Sequence, residues 1–553
     1  MSASRMTHEV LNQPPPLVDY NLFDSDRALV EAVRREGGSW GEETLREFGK
    51  LLGTAELQAW GFQANEYPPV LRTHDRYGHR IDEVEFHPAW HSLLDLSCRY
   101  GLHSGPWHEP RPGAHVVRAA LFLLASENEF GHLCPISMTY SVVPALRKQP
   151  ELYAEWQPRI VTTSYDRRSR PAGEKAGVLL GMAMTEKQGG SDVRANTTRA
   201  VPAGSATGPG AEYEITGHKW FCSAPMCDAF LVLAQAPRGL TCFLLPRWLP
   251  DGTRNGFYLQ RLKDKLGNRS NASSEVEFDR AHAWMVGEEG RGVPTIIEMA
   301  NHTRLDAAMS SAGMMRHATV QAIHHMTHRA AFGDKLIDKP LARNVLADLA
   351  LESEAAEVLM MRIARAYDAS HTQGDGEREA AFRRIATAVA KYWLCKRTPA
   401  HIAEALECLG GAGYVEETIL ARMYREAPLN SIWEGAGNVI CLDVLRAMTR
   451  EPHTFEVLRA ELLLAAGVDR RLDALVANIE AEVADPSELE SRARRFVEKL
   501  ALALQASLLH RHAPSAVAEA FSVSRLGGDW GHVFGTLPPS CDFGAILERA
   551  RGS

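Results

Sequence analysis

The chain has 553 residues, 45% hydrophobic and 24% charged, with a formal net charge of -8. That length exceeds one compact core and predicts three or four folding units at roughly 100–200 residues each, and the acidic balance excludes nucleic-acid binding driven by overall charge. No apolar run reaches the ~18 residues of a membrane-spanning helix, the start lacks the apolar core of a signal peptide, and nine scattered cysteines without a CxxC pair read as reduced thiols of a cytoplasmic protein.

The opening segment to about Pro69 is interrupted by prolines and reads as irregular structure with short helices. From about Pro88 to Arg159 apolar residues recur at threes and fours, as in HVVRAALFLLASENEF, which predicts helices. With its extension, this N-terminal helical domain is placed at 1–175. Near Ala176 short apolar runs take over: VLLGMAM, YEI, AFLVLAQ, TCFLLP, FYLQRL and SEVEFD, separated by turn residues such as Pro250-Asp251-Gly252. Their close spacing predicts an antiparallel sheet domain over 176–293.

Helical spacing returns over a domain placed at 294–450. One helix runs to a break at Asp338-Lys339-Pro340, a second to about Ala369, the HTQGDGE stretch is a loop, and a third helix spans about Arg378 to Lys396. A further helical domain is assigned to 451–553. There Asp485-Pro486-Ser487-Glu488 fits a helix start with Asp as N-cap, Pro at N1 and Glu at N3, and Gly527-Gly528 is read as the end of the last substantial helix. Helices, then strands, then helices give α+β with segregated layers.

The most informative segment is MTEKQGGSDVRANTTRA, from Met184 to Ala200. Adjacent glycines let a backbone approach a flat or phosphorylated ligand, with Ser191 beside them. No GxGxxG opens a helix after a strand, so a Rossmann site is unsupported. GHKWFCSAP, KLGNRSNASSEVEFD, HRAAFG, ECLGGAGYVEE and NSIWEGAGNVICLDVLRAM follow in that order. Each alone has a plain reading as core, solvated helix or turn.

Together they resemble the acyl-CoA dehydrogenase family, and the wording TEKQGGSDV and NSIWEGAGN with the long tail resembles its AidB alkylation-response branch. The resemblance implies an N-terminal helical domain, a central antiparallel β domain, a C-terminal four-helix bundle, and an added helical domain. It implies FAD, with Met184, Thr185, Gly190 and Ser191 against the isoalloxazine ring and Trp220 covering it beside Phe221, Cys222 and Ser223. Arg329, Phe332, Gly410, Gly411 and Gly413 match elements at the diphosphate, with Arg329 and Phe332 reaching across a subunit boundary of a homotetramer. Ala436 and Asn438 complete the pocket, and Arg304 supports the loop of the catalytic glutamate. Glu434 stands at the base position: an acyl thioester loses an α-proton while a β-hydride moves to the flavin, and a carboxylate buried beside the ring and Trp433 has its pKa raised for that task. Three positions depart from the family pattern: Pro340 replaces a common Gln, Glu407-Cys408 stand where a Gln often precedes the glycine turn, and Cys222 replaces Thr or Ser.

His324, His325 and His328 share a helical stretch, but no third ligand is evident, and no metal site is assigned to them or to His510 and His512. Arg492, Arg494, Arg495, Lys499 and Arg511 offer phosphate contacts on one tail helix, although residues 451–553 carry 11 Lys and Arg against 15 Asp and Glu. Charge alone favours a solvated face; the resemblance implies double-stranded DNA as a partner. The favoured expectation is thus a cytoplasmic, AidB-like FAD protein that binds DNA and carries a specialised flavin site for an acyl-CoA-like molecule. A metabolic dehydrogenase of short or branched acyl-CoA without DNA binding is the alternative, and a flavin-free scaffold the third.

Overall fold

The computed structural model describes residues 7–370, 375–485, 487–528 and 531–551. The expected α+β order of helical, β and helical layers is present. Three short helices, Arg27–Arg35, Ala55–Glu66 and between them Glu42–Leu52, precede a hairpin of Val70–His74 and Arg80–Glu85 that sequence reading missed. Its strands are largely exposed and carry little apolar alternation, so no period marked them. The Ala114–Asn128 and Leu133–Leu146 helices are buried almost throughout, and the buried Arg118 of the first is paired with Asp306.

The β domain departs from the all-antiparallel expectation. Leu180–Ala183 runs parallel to Ala229–Ala236, and so does Arg199–Pro202 through the Arg199–Gln235 pair. From Ala229–Ala236 the pairing passes through Gly239–Pro246, Ser273–Val286, Glu212–Ser223 and Arg199–Pro202, then returns to its origin. The ring of pairings protects edges that an open sheet exposes. Ala229–Ala236 is buried nearly throughout, which explains its unbroken apolar sequence.

Three long helices form the second helical layer: Gly292–His328, Pro340–Ala369 and Gly376–Cys408. The third is longer than expected because Pro399 lies inside it without ending it. Its early stretch follows residues 371–374, so most of the HTQGDGE loop lies outside the described residues. The first and third helices run parallel, since Ser311 meets Cys395 and Thr319 meets His401. Gly437–Arg450 packs on the third helix and completes a four-helix arrangement around the Glu434 turn.

The tail docks on this bundle through buried ion pairs. Arg525 meets Asp348 and Glu352, while Arg362 bridges Glu379 and Glu461, each at 2.9 Å. Two helix boundaries there differ from expectation. The tail helix starts at Leu489, with Glu488 as N-cap in the left-handed region, and Asp485 instead follows the Arg470–Ala484 helix while accepting from Ser487. Pro486, expected at N1, lies outside the described residues. Gly527-Gly528 is not the last stop, since Phe543–Arg551 is helical and anchored by Arg549 to Glu31 and Glu354.

Candidate functional site

The Glu434 turn joins the 3-10 segment Ala427–Ser431 to the Gly437–Arg450 helix. Glu434 has φ 57°, a left-handed conformation that costs a residue with a side chain roughly 1–2 kcal/mol. Three bonds from two buried cations hold it there. Arg304 Nε donates to the Glu434 carbonyl at 2.9 Å, and Lys391 Nζ donates to the carbonyls of Trp433 at 2.8 Å and Gly435 at 2.5 Å. Arg304 is fixed in turn by Asp443 at 2.8 Å and Asn301 at 3.2 Å, and Arg384 grips the same Asp443.

The Glu434 carboxylate is treated differently from its backbone. Oε2 accepts from the Thr303 hydroxyl at 2.7 Å, and the neighbouring arginine forms its ion pair with Asp443 instead. Burial raises the pKa of Glu434 above the ordinary carboxylate value, against the opposing pull of Thr303, Arg304 and Lys391. The residue keeps partial access to solvent. Trp433 beside it donates its indole N–H to Asn430 at 2.8 Å and meets Phe130 edge-on.

Across from this turn stands the β domain. Cys134, on the Leu133–Leu146 helix, lies between the two: burial pushes its thiol up to about 11, opposed by Asn271, Lys265 and the Ser223 hydroxyl and assisted by the Glu434 charge. Ser223 ends the strand that carries Trp220, and Trp220 N–H donates to the Thr185 carbonyl at 2.9 Å. Met184, Thr185 and Trp220 are half-buried, and Gly190 and Ser191 are exposed. A Cβ on Gly190 would stand 2.4 Å from the Thr185 hydroxyl, so only glycine lets this turn close on the strand end. Lys263 Nζ lies 3.2 Å from the centre of the Trp220 ring while bonded to Glu275 at 2.6 Å.

Beneath the turn, fully buried Glu186 accepts from Lys219 at 2.9 Å, from the N–H groups of Thr197 and Thr198, and from Gln188. Burial pushes Glu186 up, but Lys219 and these hydrogen bonds outweigh it and hold it well below the ordinary range. Phe221 is exposed, whereas Cys222 turns into the sheet, fully buried, its thiol pushed up to about 12 by burial. The strand's register shifts between Lys219 and Cys222, so that both of these residues are buried with two residues between them.

The remaining positions divide. Ala436 and Asn438 are exposed immediately after Glu434. Arg329 and Phe332 lie at the far end of the Gly292–His328 helix, 26 residues beyond Thr303, hence roughly 39 Å away at ~1.5 Å per residue. Gly410, Gly411 and Gly413 follow the parallel helix at that same far end. Arg329 donates to the Asn12 carbonyl at 2.6 Å, and Phe332 is 95% exposed at φ 54°. Gly410, Gly411 and Phe332 are exposed at that end, whereas Gly413 is buried.

Of the tail cations, Arg511 bonds Glu461 at 2.8 Å, Lys499 bonds Asn478 at 2.6 Å and pairs with Glu482, and Arg492 donates to the carbonyls of Asp485 and Ser487. Arg494 and Arg495 are exposed. His324 and His328 each bond a backbone carbonyl, of Pro15 and of His324 respectively. Among the described residues no helix is long and apolar enough to cross a membrane.

Comparison with known families matches residues 12–167 to the adaptive response protein AidB N-terminal domain. It matches 181–281 to the acyl-CoA dehydrogenase middle domain and 290–449 to the acyl-CoA dehydrogenase C-terminal domain. The AidB protein of Escherichia coli (strain K12) is 47% identical over 484 residues, 87% of this chain and 88% of that one. The chain belongs to the acyl-CoA dehydrogenase family, in its AidB branch. It is thereby an FAD-dependent oxidoreductase type. Acyl-CoA dehydrogenase family member 11 of Caenorhabditis elegans is 32% identical over 86% of this chain and 75% of its own. The crystal structure of Caenorhabditis elegans ACDH-11 in complex with C11-CoA matches with a TM-score of 0.84 at 26% identity, covering 99% of this chain and 93% of that one.

Sequence reading missed Thr303, Lys391 and Cys134. Lys391 left a trace: a lone lysine inside the apolar run IATAVAKYWLC predicts a buried charge with polar partners. Thr303 had no such signal.

Proposed function

We propose that this chain binds FAD where the 184–191 turn, the Trp220 strand end and the Glu434 turn converge, and that Glu434 removes the proton α to the carbonyl of an acyl thioester. The residues fit the cofactor. An indole face, an open Gly-Gly-Ser backbone and half-buried Met184 and Thr185 suit a planar ring rich in acceptors, while outward-facing Gly410 and Gly411 suit a diphosphate. When bound, FAD accepts the hydride that leaves the β-carbon. The protein supplies a stationary carboxylate whose pKa burial raises above the ordinary value, which makes it a stronger base than a free glutamate.

One observation carries this reading: both cations beside Glu434 bond its backbone, and neither pairs with its carboxylate. The ~39 Å that separates Arg329 from the base supports a homotetramer in which Arg329, Phe332, Gly410, Gly411 and Gly413 serve the cofactor of a neighbouring copy. In the test, purified protein is yellow and is bleached anaerobically by isovaleryl-CoA or undecanoyl-CoA. Glu434→Gln slows bleaching by about 100- to 10,000-fold, the range of a lost general base. Equal bleaching in both proteins overturns the assignment.

The wider reading is a cytoplasmic AidB-like protein of the alkylation response that also binds double-stranded DNA. It rests on similarity to the Escherichia coli protein and on exposed Arg494 and Arg495. A metabolic dehydrogenase without DNA affinity is the second reading, favoured because Arg492, Lys499 and Arg511 are already engaged within the chain. A salt-sensitive shift of duplex DNA selects the first, and no shift at low salt selects the second.

A further inference from the structure

Lys391 lies midway along the Gly376–Cys408 helix with 1% of its surface exposed. Its ammonium forms hydrogen bonds to the carbonyls one residue before and one residue after Glu434, and among the described residues it forms no ion pair. A buried ammonium without a paired carboxylate is costly, and methionine or leucine would fill the same volume without that cost. Burial lowers its pKa, and the nearby Glu434 charge partly restores it.

The arrangement is specific to the turn. Two carbonyls separated by one residue converge on a single donor with Glu434 at φ 57°. Arg304 takes the carbonyl between them, so three successive carbonyls each have a cationic donor. The two cations are not redundant. Arg304 reaches the turn from the Gly292–His328 helix and is tethered to Asp443, whereas Lys391 reaches it from the Gly376–Cys408 helix, so the turn is fixed against both.

We infer that Lys391 is a positioning residue for the base: by holding the carbonyls on both sides of Glu434 it determines where the carboxylate stands. The inference rests on the reading of Glu434 as the base. Lys391 touches no reacting atom, and its effect passes through the backbone of residues 433–435.

The test compares Lys391→Met, Lys391→Gln and Lys391→Arg as full-length, FAD-loaded protein, with circular dichroism confirming the fold. Amide hydrogen exchange across residues 432–437 reads the turn without turnover. It accelerates at least about tenfold in the Met and Gln variants, as expected for loss of charge-assisted bonds, and returns toward wild type with Arg. Bleaching by isovaleryl-CoA slows about 100-fold, the scale of a roughly 1 Å misplacement, with the half-saturating concentration unchanged. If Lys391→Met does not fold, Lys391→Gln, which keeps an amide NH2 but loses the charge, carries the same comparison. Wild-type exchange and bleaching in a folded Met or Gln variant overturn the inference. Glu434→Gln separates the two claims. Loss of bleaching with wild-type exchange supports the base reading, while normal bleaching sinks that reading and leaves the exchange result on Lys391 to be judged alone.

Discussion

Glu186 and Glu434 each lie close to a fully buried lysine, and they have opposite characters. Glu186 takes the Lys219 ammonium on its own carboxylate at 2.9 Å, with backbone N–H groups filling the rest. Its pKa is held far down, and burial holds Lys219 to about 8. That carboxylate is a permanent anion that ties the 184–198 segment to its neighbouring strand. Glu434 has its lysine and its arginine on the backbone, one hydroxyl on its carboxylate, and a pKa displaced upward by burial. The destination of the cation, carboxylate or carbonyl, separates a glutamate held ionised from one whose pKa burial raises, and on the proposed function the second is the base.

The sharpest way to break this contrast is to neutralise each glutamate. Glu434→Gln lowers acyl-CoA bleaching by about 100- to 10,000-fold while flavin content stays at the wild-type level. Glu186→Gln leaves Lys219 buried and unpaired, and denaturant unfolding registers a loss of about 3–5 kcal/mol. The stability from Glu186 is present above the ordinary glutamate value of 4.5 and is lost as pH falls toward the depressed folded-state value. The difference between wild type and Glu186→Gln therefore shrinks in acid. For Glu434 the sign reverses. Its raised folded pKa makes ionisation unfavourable to the fold, so Glu434→Gln is more stable than wild type above that pKa, and the gap closes as pH falls toward 4.5.

Thr303→Val sharpens the contrast more gently. It removes the one hydrogen bond that favours the ionised form of Glu434, so the acid limb of the bleaching rate moves to higher pH in stopped-flow measurements. On the tail, Arg494→Ala and Arg495→Ala each flatten the salt dependence of duplex binding by about 1 in slope if those residues meet phosphate. Lys499→Ala and Arg511→Ala change it less, because their side chains are held by Glu482 and Glu461.

Much of the fold was legible because apolar period changes where the layers change: threes and fours in HVVRAALFLL, short unbroken runs from VLLGMAM to SEVEFD. Strand partners were not legible. The parallel pairing of Leu180–Ala183 with Ala229–Ala236 depends on chain crossing, which no local alternation encodes. The burial of Cys222 goes with a register shift between Lys219 and Cys222 against the Ser273–Val286 strand, which no local alternation encodes. Glu434, Arg304 and the Trp220 segment stood out through motif wording. Thr303 reads locally as ordinary helix and Lys391 only as a buried charge without a named partner, and only the return of the chain over 43 and 131 residues puts them against Glu434.

The contrast between the two glutamates comes down to one titration. The rate of anaerobic flavin bleaching by isovaleryl-CoA is followed from about pH 5 to about pH 8, where folded proteins tend to be most stable, in wild type and Glu434→Gln. The wild-type rate is expected to fall at low pH along a limb centred above the ordinary glutamate value of 4.5, and that limb is expected to be absent from the residual rate of Glu434→Gln. A wild-type rate without such a limb, or the same limb in both proteins, contradicts the account.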